Sequence, residues 1–500
     1  MTDVEADLVV VGYGAAGAAA ALTASRLGAS VALIEKQAEK GHYSNTRLSG
    51  GLFMGVNDTD AATVYLDLCA GGYIPLDVTR AWAQRAAALP EWCAGFGLDS
   101  VRMAGGWYPQ LEGYESIDVY APLPLGAAAP GSVIAPAAGT LDATHAQQFG
   151  NGETLHQWYV GAVCRERRVT PYFGHAATAL IQEARGAPVV GVECAVDGET
   201  RQFRARRGVV LSCGGYGQDQ DMVLNYLKAY PIYFYGNPFN TGEGVRMAME
   251  VGADLWHMNQ MIGRAVAHFD VDEHIGYSFN ISLNPPGYVI TDRYGRRFAN
   301  EWLQAVSKPH FYYELLAYDA ERLEFTRIPS YWFFDERRMR ARTLTSRSVG
   351  VVAMGLYDWS VDNEKEVASG WIKRGSSIEE VAAAAGLADP EAAARTIVEY
   401  NAGCAVGTDP LDRPADSLVP LDRPPYYCVP VYPGGANTNG GPRRDARARI
   451  LDARRRPIPN LFGAGELGGA IGLLYPSPGA NLSEAFVFGQ LAAEAALQGV

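Results

Sequence analysis

Cysteine and histidine are scarce in this chain of 500 residues. The seven cysteines are scattered, odd in number and without a CxxC pair, and the eight histidines show no HxxxH spacing. Structural metal sites and small disulfide frameworks need such pairs at close spacing. The sequence therefore predicts neither a metal site nor disulfides. We expect the thiols to be reduced, as is typical of a cytoplasmic protein.

The chain also lacks the features of nucleic-acid-binding and membrane proteins. Its formal net charge is -13, and no basic stripe with interleaved aromatic residues is present. Such a charge argues against nucleic acid or an anionic membrane surface as a partner. The sequence contains no run of 18 or more apolar residues, so we expect no membrane span. The acidic N-terminus lacks the features of a signal peptide.

The length and a hydrophobic content of 48% predict a large core and two domains. Near the N-terminus, Asp7–Val11 is an apolar strand pattern, Ala15–Leu27 an Ala-rich helix pattern and Ser30–Glu35 a second strand pattern. A strand, a helix and a strand in this order require parallel pairing with a right-handed crossover. The sequence therefore predicts an α/β fold.

The composition changes between residues 262 and 427, where Arg and aromatic residues are frequent and Ile378–Tyr400 has a helical pattern. Strand and turn signals return at Asn460–Gly465, and Ser483–Ala496 has the pattern of a closing helix. We therefore expect one domain from residues 1–261 and 428–500, with residues 262–427 inserted as a second domain. The segment Ala121–Ala138, rich in Ala, Gly and Pro, is expected to be a loop.

A glycine motif lies directly between the first strand and the first helix. Gly12 permits a tight turn, Gly14 allows the backbone to approach a pyrophosphate, and Gly17 lets helix and strand pack closely. The helix then starts at Ala15 and Ala16, where free N–H groups and a partial positive charge face the phosphates. A tight glycine turn without a ligand is the alternative interpretation.

The acidic residue that ends the second strand favours dinucleotide binding over that alternative. Glu35 follows Gly17 by eighteen residues, where a carboxylate accepts hydrogen bonds from ribose hydroxyls. A carboxylate disfavours a 2′-phosphate, so FAD and NAD remain and NADP does not. Lys36 is included in the predicted cofactor site.

Three further segments favour FAD. Ser44–Gly51 combines hydroxyl and amide side chains with paired glycines, which suits packing against a flat hydrogen-bonding ring, although such a segment is also typical of a plain loop. Gly208–Gly217 has the pattern of a strand that is followed by glycines. Gly463–Glu466 precedes the segment Tyr475–Leu482, which leads into the final helix. The N–H groups and the dipole at the start of that helix suit an anion such as a reduced flavin. The predicted cofactor-binding residues of these segments are Asn45, Thr46, Ser49, Gly50, Gly51, Gly214, Gly215, Glu466, Asn481 and Leu482.

The order of the segments GYGAAG, SNTRLSGG, VVLSCGGYG, NTGEGVRMAMEVGA, RRFANE and LFGAGE resembles that of the fumarate reductase and 3-ketosteroid dehydrogenase flavoproteins. The resemblance covers nearly the whole chain. It implies an FAD-dependent oxidoreductase with a Rossmann-like FAD-binding domain, built from both termini, and an inserted α+β catalytic cap domain.

Within that superfamily the fumarate reductase branch carries His-Thr-x-Gly-Gly and Gly-x-Asn-Arg segments, and an Arg soon after RRFANE. Here the first is Asn437–Gly441 and the second Gly479–Leu482, and Ala305 stands near the third position, so the charged groups are missing. Tyr475 with Gly479 instead resembles the Tyr-Pro-x-x-Gly segment of 3-ketosteroid 1-dehydrogenases. The position of the His that binds FAD covalently in succinate dehydrogenases is Ser44 here, which implies non-covalent FAD.

This resemblance implies dehydrogenation of a cyclic ketone, either a 3-ketosteroid or a smaller ring. Tyr475 O–H and Gly479 N–H would hold the ketone oxygen and stabilise the enolate. A base would remove the α-proton, and hydride would pass from the β-carbon to the flavin N5. The electrons would then leave to a quinone, a dye-like acceptor or oxygen.

The resemblance implies a tyrosine base after RRFANE, and we favour Tyr312, with Tyr313 and His310 as alternatives. A tyrosine with its ordinary pKa of about 10 needs neighbours that lower it. Tyr108, in the segment WYPQLEG, is the predicted assistant of the base. All these tyrosines also suit plain packing.

Two other functions remain open. The first is an enoate reductase of the fumarate reductase type, which reduces the C=C bond of an unsaturated carboxylic acid, with Arg264, Lys308 or Arg47 as cationic ligands. The second is a flavin-binding protein without catalysis.

Overall fold

The structure is a computed structural model that describes residues 3–126, 151–272, 275–306, 308–347 and 349–498. The helices are α1 Ala15–Arg26, α2 Thr59–Ala70, α3 Leu76–Ala87, α4 Leu89–Ala94, α5 Gly152–Arg165, α6 Gln220–Tyr226, α7 Glu243–Glu250, α8 Trp302–Val306, α9 Lys308–Leu315, α10 Glu336–Ala341, α11 Glu364–Ala368, α12 Ile378–Ala385, α13 Pro390–Val406 and α14 Ala480–Gln498. The strands are β1 Val4–Val11, β2 Val31–Ile34, β3 Phe53–Val56, β4 Ser100–Ala104, β5 Ile117–Pro122, β6 Val169–Tyr172, β7 Ala176–Gln182, β8 Val189–Val196, β9 Glu199–Leu211, β10 Tyr233–Phe234, β11 Leu255–Trp256, β12 Met261–Asp270, β13 Gly276–Asn280, β14 Tyr288–Thr291, β15 Ser330–Asp335, β16 Lys373–Gly375, β17 Tyr426–Thr438, β18 Gly441–Pro442, β19 Arg449–Leu451 and β20 Pro457–Gly463.

The chain divides into two compact units. The first unit contains Met1–Met222, Asn237–Met261 and Thr438–Val500, and the second contains Val223–Gly236 and Ile262–Asn437. Residues 223–236 and 428–437 therefore lie in the second unit and not in the domain to which the sequence assigned them. The reason is strand pairing, because β10 pairs in parallel with β17, and β17 pairs with β15.

The described part of the first unit is built on an eight-stranded sheet. Its path is β19-β20-β9-β1-β2-β6, and β7 and β8 extend it from β9. β1 is parallel to β2 and to β9, with Val9 opposite Ala32 and Val209. Leu8, Val9 and Val10 are fully buried, as a central parallel strand covered on both faces requires. The predicted strand, helix and strand at the N-terminus are thus present as an α/β unit.

Helix α1 is rich in Ala because the final helix lies directly against it. A Cβ on Gly489 of α14 would lie 2.4 Å from the carbonyl oxygen of Ala16 and 2.9 Å from the Cβ of Ala19. Only small residues permit two helix backbones to approach this closely. The predicted closing helix is therefore part of the core of the first unit.

A small antiparallel sheet, β3-β5-β4, also belongs to the first unit. Helix α2 is capped at its N-terminus by Asp58, whose carboxylate accepts the N–H groups of Asp60 and Ala61, and at its C-terminus by Gly71 with φ +59°. Of the segment expected to be a loop, the first two residues close β5, and residues 127–138 lie outside the described residues.

Among the described residues of the second unit, a seven-stranded sheet has the path β13-β12-β17-β15-β14, and β10 and β16 also pair with β17. The predicted helical stretch Ile378–Tyr400 is in fact two helices. Gly386, with φ +86°, ends α12, and Asp389 caps α13 by accepting the N–H of Ala392, with Pro390 at the first position.

The RRFANE segment forms a buried ion-pair network in the second unit. Arg297 binds both carboxylate oxygens of Glu301, at 2.6 and 2.9 Å, and its third nitrogen lies 2.6 Å from Asp409. Glu301 also accepts the N–H of Ile290. These bonds hold the RRFANE segment against β14. In the part of the chain that the structure describes, no helix has the length and apolar content to cross a membrane.

Candidate active site

The glycine turn after β1 has the geometry expected of a phosphate-binding turn. Gly12 has φ +101°, and a Cβ there would lie 2.5 Å from Ser212 O. A Cβ on Gly17 would lie 1.9 Å from Gly12 O. Neither position accepts a side chain without movement of the backbone, because both contacts are with main-chain atoms.

The N-terminus of α1 is open to an anion. Gly14 is the N-cap and provides no side chain, and the first turn contains no acidic residue. The N–H of Ala15 donates to Thr46 Oγ1 at 3.0 Å. A Cβ added to Gly14 would have its nearest neighbours in Thr46 and Ser44, at 3.7 and 3.8 Å. The remaining N–H groups and the helix dipole suit the pyrophosphate of a dinucleotide.

Glu35 is buried and held by main-chain donors. Its two oxygens accept the N–H groups of Tyr13 at 3.0 Å and Gln37 at 2.9 Å, and His42 Nε2 lies 3.5 Å away. Burial alone would raise the pKa of Glu35, but the neighbouring His42 and the two N–H groups outweigh it and lower the pKa. The carboxylate is therefore ionised at neutral pH and fixed, and its contact with a ribose stays a prediction.

Lys36 has a different environment. Its ammonium lies 2.5 Å from Glu243 Oε1 and 3.0 Å from Thr241 Oγ1. The side chain is thus paired with the start of α7. Its predicted contact with the cofactor stays a prediction.

Three of the predicted cofactor segments meet at Glu466. Its Oε2 accepts the amide N–H groups of Asn45 at 2.9 Å and Asn240 at 3.0 Å. A Cβ on Gly215 would lie 2.1 Å from Thr438 Oγ1 and 2.6 Å from Glu466 Oε1. Asn240 is not among the predicted cofactor-binding residues, although it lies in the NTGEG segment that carries the resemblance.

The neighbour of Gly215 has the same restriction. Gly214 has φ +83°, and a Cβ there would lie 2.6 Å from Asn240 Oδ1.

Burial raises the pKa of Glu466 to about 7, although the hydrogen bonds from the amides of Asn45 and Asn240 act to lower it. A carboxyl group that titrates near neutral pH can both accept and donate hydrogen bonds. This suits contact with the hydroxyl groups on the sugar part of a dinucleotide.

The segment Ser44–Gly51 is fixed by its own side chains. Ser49 Oγ donates to Thr46 O at 2.7 Å and accepts the N–H of Gly51 at 3.0 Å. Gly51 has φ +77°, and a Cβ there would lie 2.2 Å from the carbonyl carbon of Asn151. Gly50 differs, because a Cβ there would meet no atom within 4 Å. The structure thus explains the second glycine of the pair and not the first.

The predicted catalytic segment opens the final helix. The hydroxyl of half-buried Tyr475 accepts the N–H of Asn481 at 3.2 Å. Gly479 has φ +80°, and a Cβ there would lie 2.6 Å from main-chain atoms of Leu52 and Phe53. Glycine is therefore required, and the phenol oxygen lies at the positive end of the α14 dipole. Leu482, in the first turn, is buried in the same helix start.

Tyr108 belongs to a loop near this segment. Its side chain is buried, and the ring of the preceding Trp107 lies 5.4 Å from the ring of Tyr475. The first unit thus brings the two predicted segments together.

Tyr312 lies in the second unit and is buried. A Cβ on Gly263 would lie 2.2 Å from Cγ of Tyr312, so the ring packs against the backbone of β12. Its hydroxyl has no hydrogen-bond partner among the described residues. Burial, and then the neighbouring Tyr313, raise the pKa of Tyr312, which is the opposite of what a base at neutral pH requires. The side chain of His310 lies outside the described residues.

The chain is similar to known flavoproteins over nearly its whole length. The chain is 27% identical to 3-oxosteroid 1-dehydrogenase of Mycobacterium tuberculosis, over 99% of this chain and 98% of that protein. It is 24% identical to the probable fumarate reductase Ifc3 of Shewanella frigidimarina, over 97% of this chain and 74% of that protein.

A solved structure shows the same fold. The crystal structure of 3-ketosteroid delta1-dehydrogenase from Sterolibacterium denitrificans, in complex with 1,4-androstadiene-3,17-dione, matches with a TM-score of 0.80 and 23% identity. The match covers 98% of this chain and 99% of that one. The family model described as FAD binding domain matches residues 7–482. The chain therefore belongs to the FAD binding domain family and is an FAD-dependent oxidoreductase, as the glycine turn, Glu35 and the Glu466 cluster predict.

Proposed function

We propose that this protein introduces a C=C bond α,β to the carbonyl of a cyclic ketone, either a 3-ketosteroid or a smaller alicyclic ketone. The observation that carries the proposal is the placement of Tyr475 and Gly479 at the start of α14. The similarity of the chain to 3-oxosteroid 1-dehydrogenase and to 3-ketosteroid delta1-dehydrogenase supports it.

Tyr475 is suited to donate a hydrogen bond to a carbonyl oxygen. Its oxygen already accepts the N–H of Asn481, and that N–H together with the helix dipole polarises the phenol and makes it a stronger donor. Tyr475 O–H and Gly479 N–H would together stabilise negative charge on the ketone oxygen. Each well-placed donor of this kind lowers the barrier by about 2.7–4 kcal/mol.

The cofactor would be held by the Gly12–Gly17 turn, by Glu35 and by the cluster around Glu466. When bound, FAD supplies a two-electron acceptor for the hydride that leaves the β-carbon. The protein's own contribution is to hold the ketone, to stabilise the enolate and to remove the α-proton.

By the same resemblance, we favour Tyr312 as the base and Tyr108 as its assistant. Because the pKa of Tyr312 is raised, its hydroxyl is protonated in nearly all molecules at neutral pH. Only the phenolate removes a proton, so the fraction of active enzyme grows with pH throughout the alkaline range.

The test is the variant Tyr475→Phe, which removes one hydroxyl and keeps the ring. We expect it to retain FAD and to lose about 100-fold or more in kcat/KM for dye-coupled oxidation of 4-androstene-3,17-dione or cyclohexanone. Tyr331→Phe is the matched control, because its buried hydroxyl donates to Gly386 O at 3.3 Å within the second unit. A Tyr475→Phe variant as active as the control would refute the role.

A second candidate, reduction of an unsaturated carboxylic acid, is favoured by one observation. Arg264 in β12 is half-buried, donates to Asn280 Oδ1 at 2.6 Å, lies 5.5 Å from the ring of Tyr235 and forms no ion pair with a described carboxylate. Such a cation suits a substrate carboxylate. Arg47 is paired with Glu153, and the side chain of Lys308 is outside the described residues. Reoxidation of the reduced flavin by fumarate, with no bleaching by ketones, would favour this candidate.

A further inference from the structure

Helix α2 carries a buried phenol that lies outside the motifs described above. Tyr65 lies in the middle of α2, on the face that also buries Leu66 and Cys69, and it is fully buried. A tyrosine on such a face resembles any core aromatic residue. Its hydroxyl, however, is a polar group in the interior and needs partners.

The partners of Tyr65 are the two segments that contain the predicted catalytic tyrosines of the first unit. The hydroxyl donates to Pro476 O at 2.7 Å. It accepts the N–H of Trp107 at 3.2 Å and the N–H of Tyr108 at 3.3 Å. One phenol therefore satisfies three main-chain groups, all from the segments that carry Tyr475 and Tyr108.

Other contacts make α2 the support for the segment before Tyr475. Leu474 N–H donates to Cys69 O at 2.8 Å and Leu473 N–H to Ala70 O at 3.2 Å. A Cβ on Gly472 would lie 2.2 Å from Ala70 O. These contacts are with the C-terminal end of the helix, so the chain reaches Tyr475 from a fixed point.

The loop that contains Tyr108 rests on the same helix. A Cβ on Gly113, which has φ +81°, would lie 2.1 Å from Ala61 O and 3.1 Å from the Cβ of Tyr65. The N–H of Trp107 also donates to Pro476 O at 3.1 Å, and its ring contacts that of Tyr475. The Tyr65 hydroxyl thus reinforces a direct contact between the two segments from the side of α2.

We propose that Tyr65 is a positioning residue, which sets the Tyr475 phenol and the Tyr108 segment at a fixed separation by bonding Pro476 O and the N–H groups of Trp107 and Tyr108. The inference rests on the proposed function, because it acts through Tyr475. A group displaced by about an ångström from its productive position costs up to about 100-fold in rate. Burial raises the pKa of Tyr65, so its proton stays available to Pro476 O over the working pH range.

The direct test is Tyr65→Phe, which keeps the ring and removes all three bonds. We expect FAD content to stay at the wild-type level and kcat for ketone oxidation to fall about 10-fold, with KM changed less than 2-fold. Tyr331→Phe again serves as the control for loss of a buried phenol-to-carbonyl bond, and it should keep wild-type kcat. Wild-type kcat in Tyr65→Phe would overturn the inference.

A double variant separates positioning from a general loss of stability. If Tyr65 acts through Tyr475, then Tyr65→Phe in the Tyr475→Phe background should lower kcat less than 2-fold further. A full 10-fold further loss would show that Tyr65 acts independently and would refute the proposal. If Tyr475→Phe itself has wild-type activity, the proposed function fails, whatever Tyr65→Phe does.

A measurement on the wild-type holoenzyme covers the case in which Tyr65→Phe does not fold. Amide hydrogen exchange of the peptide that contains Trp107 and Tyr108 should show protection comparable with that of α2. Exchange as fast as that of an exposed loop would contradict the inference, since the Tyr65 hydroxyl would then not hold these amides.

Discussion

Replacement of Glu466 by Gln should make the FAD-free protein more stable at alkaline pH. Glu466 is buried, and its folded pKa is about 7 against an ordinary value of 4.5. The folded state therefore binds the proton more tightly than the unfolded state. The stabilisation from Glu466 is complete below pH 4.5 and is lost as the pH rises through 7.

The size of the effect follows from the shift. A difference of roughly 2.5 pKa units at about 1.36 kcal/mol each corresponds to about 3 kcal/mol between pH 4.5 and pH 8. Gln is a close copy of the protonated carboxyl, and its amide oxygen can still accept from Asn45 and Asn240. Glu466→Gln should therefore match the wild type near pH 5 and exceed it by up to about 3 kcal/mol at pH 8.

The assay is equilibrium unfolding in urea, followed by circular dichroism at several pH values between 5 and 8. Glu35→Gln is the matched control with the opposite sign. The folded pKa of Glu35 is lowered, so its stabilisation is present above pH 4.5 and its loss should destabilise the variant at pH 7. A difference between Glu466→Gln and wild type that does not change with pH would refute the reasoning.

Three further predictions concern the turn, the base and the cofactor. Gly17→Ala should purify without FAD and with lower thermal stability, measured by absorbance and melting, because the new Cβ would lie 1.9 Å from Gly12 O; FAD content equal to wild type would contradict this. If Tyr312 is the base, log kcat/KM should rise with a slope of about 1 between pH 7 and 10, since its pKa is raised, whereas a plateau above about pH 7 would contradict Tyr312 as the base. Acid precipitation should release all flavin into the supernatant, because the position of the covalent His is occupied by Ser44, whose hydroxyl lies 3.0 Å from that of Tyr159; flavin that stays with the pellet would show a covalent bond.

Local sequence determines the parts of this fold that were predictable. The strand before Gly12, the glycine turn and the Ala-rich helix are adjacent in the chain, and each residue type has a steric or electrostatic reason that can be read without tertiary structure. The final helix was predictable for the same reason. The break between α12 and α13 was also readable, because Gly386 and Pro390 are ordinary helix-terminating and helix-starting residues, although the apolar pattern obscured it.

The contacts that assemble the site join distant residues. Asn45 meets Glu466 across 421 positions, and Tyr65 meets Pro476 across 411, so no local pattern indicates either bond. The raised pKa of Tyr312 likewise depends on its burial against β12 in the second unit. The domain boundary was misplaced because the pairing of β10 with β17 joins residues about 200 positions apart in the chain.

We propose that this FAD-dependent oxidoreductase removes hydrogen from a cyclic ketone held by Tyr475. The most direct test is the anaerobic visible spectrum of the purified holoenzyme mixed with 4-androstene-3,17-dione or cyclohexanone. We expect the flavin absorption of the wild type to be lost with at least one of them, and that of Tyr475→Phe to persist on the same timescale. Wild-type flavin that no ketone bleaches, or a variant bleached as fast as the wild type, would contradict the account.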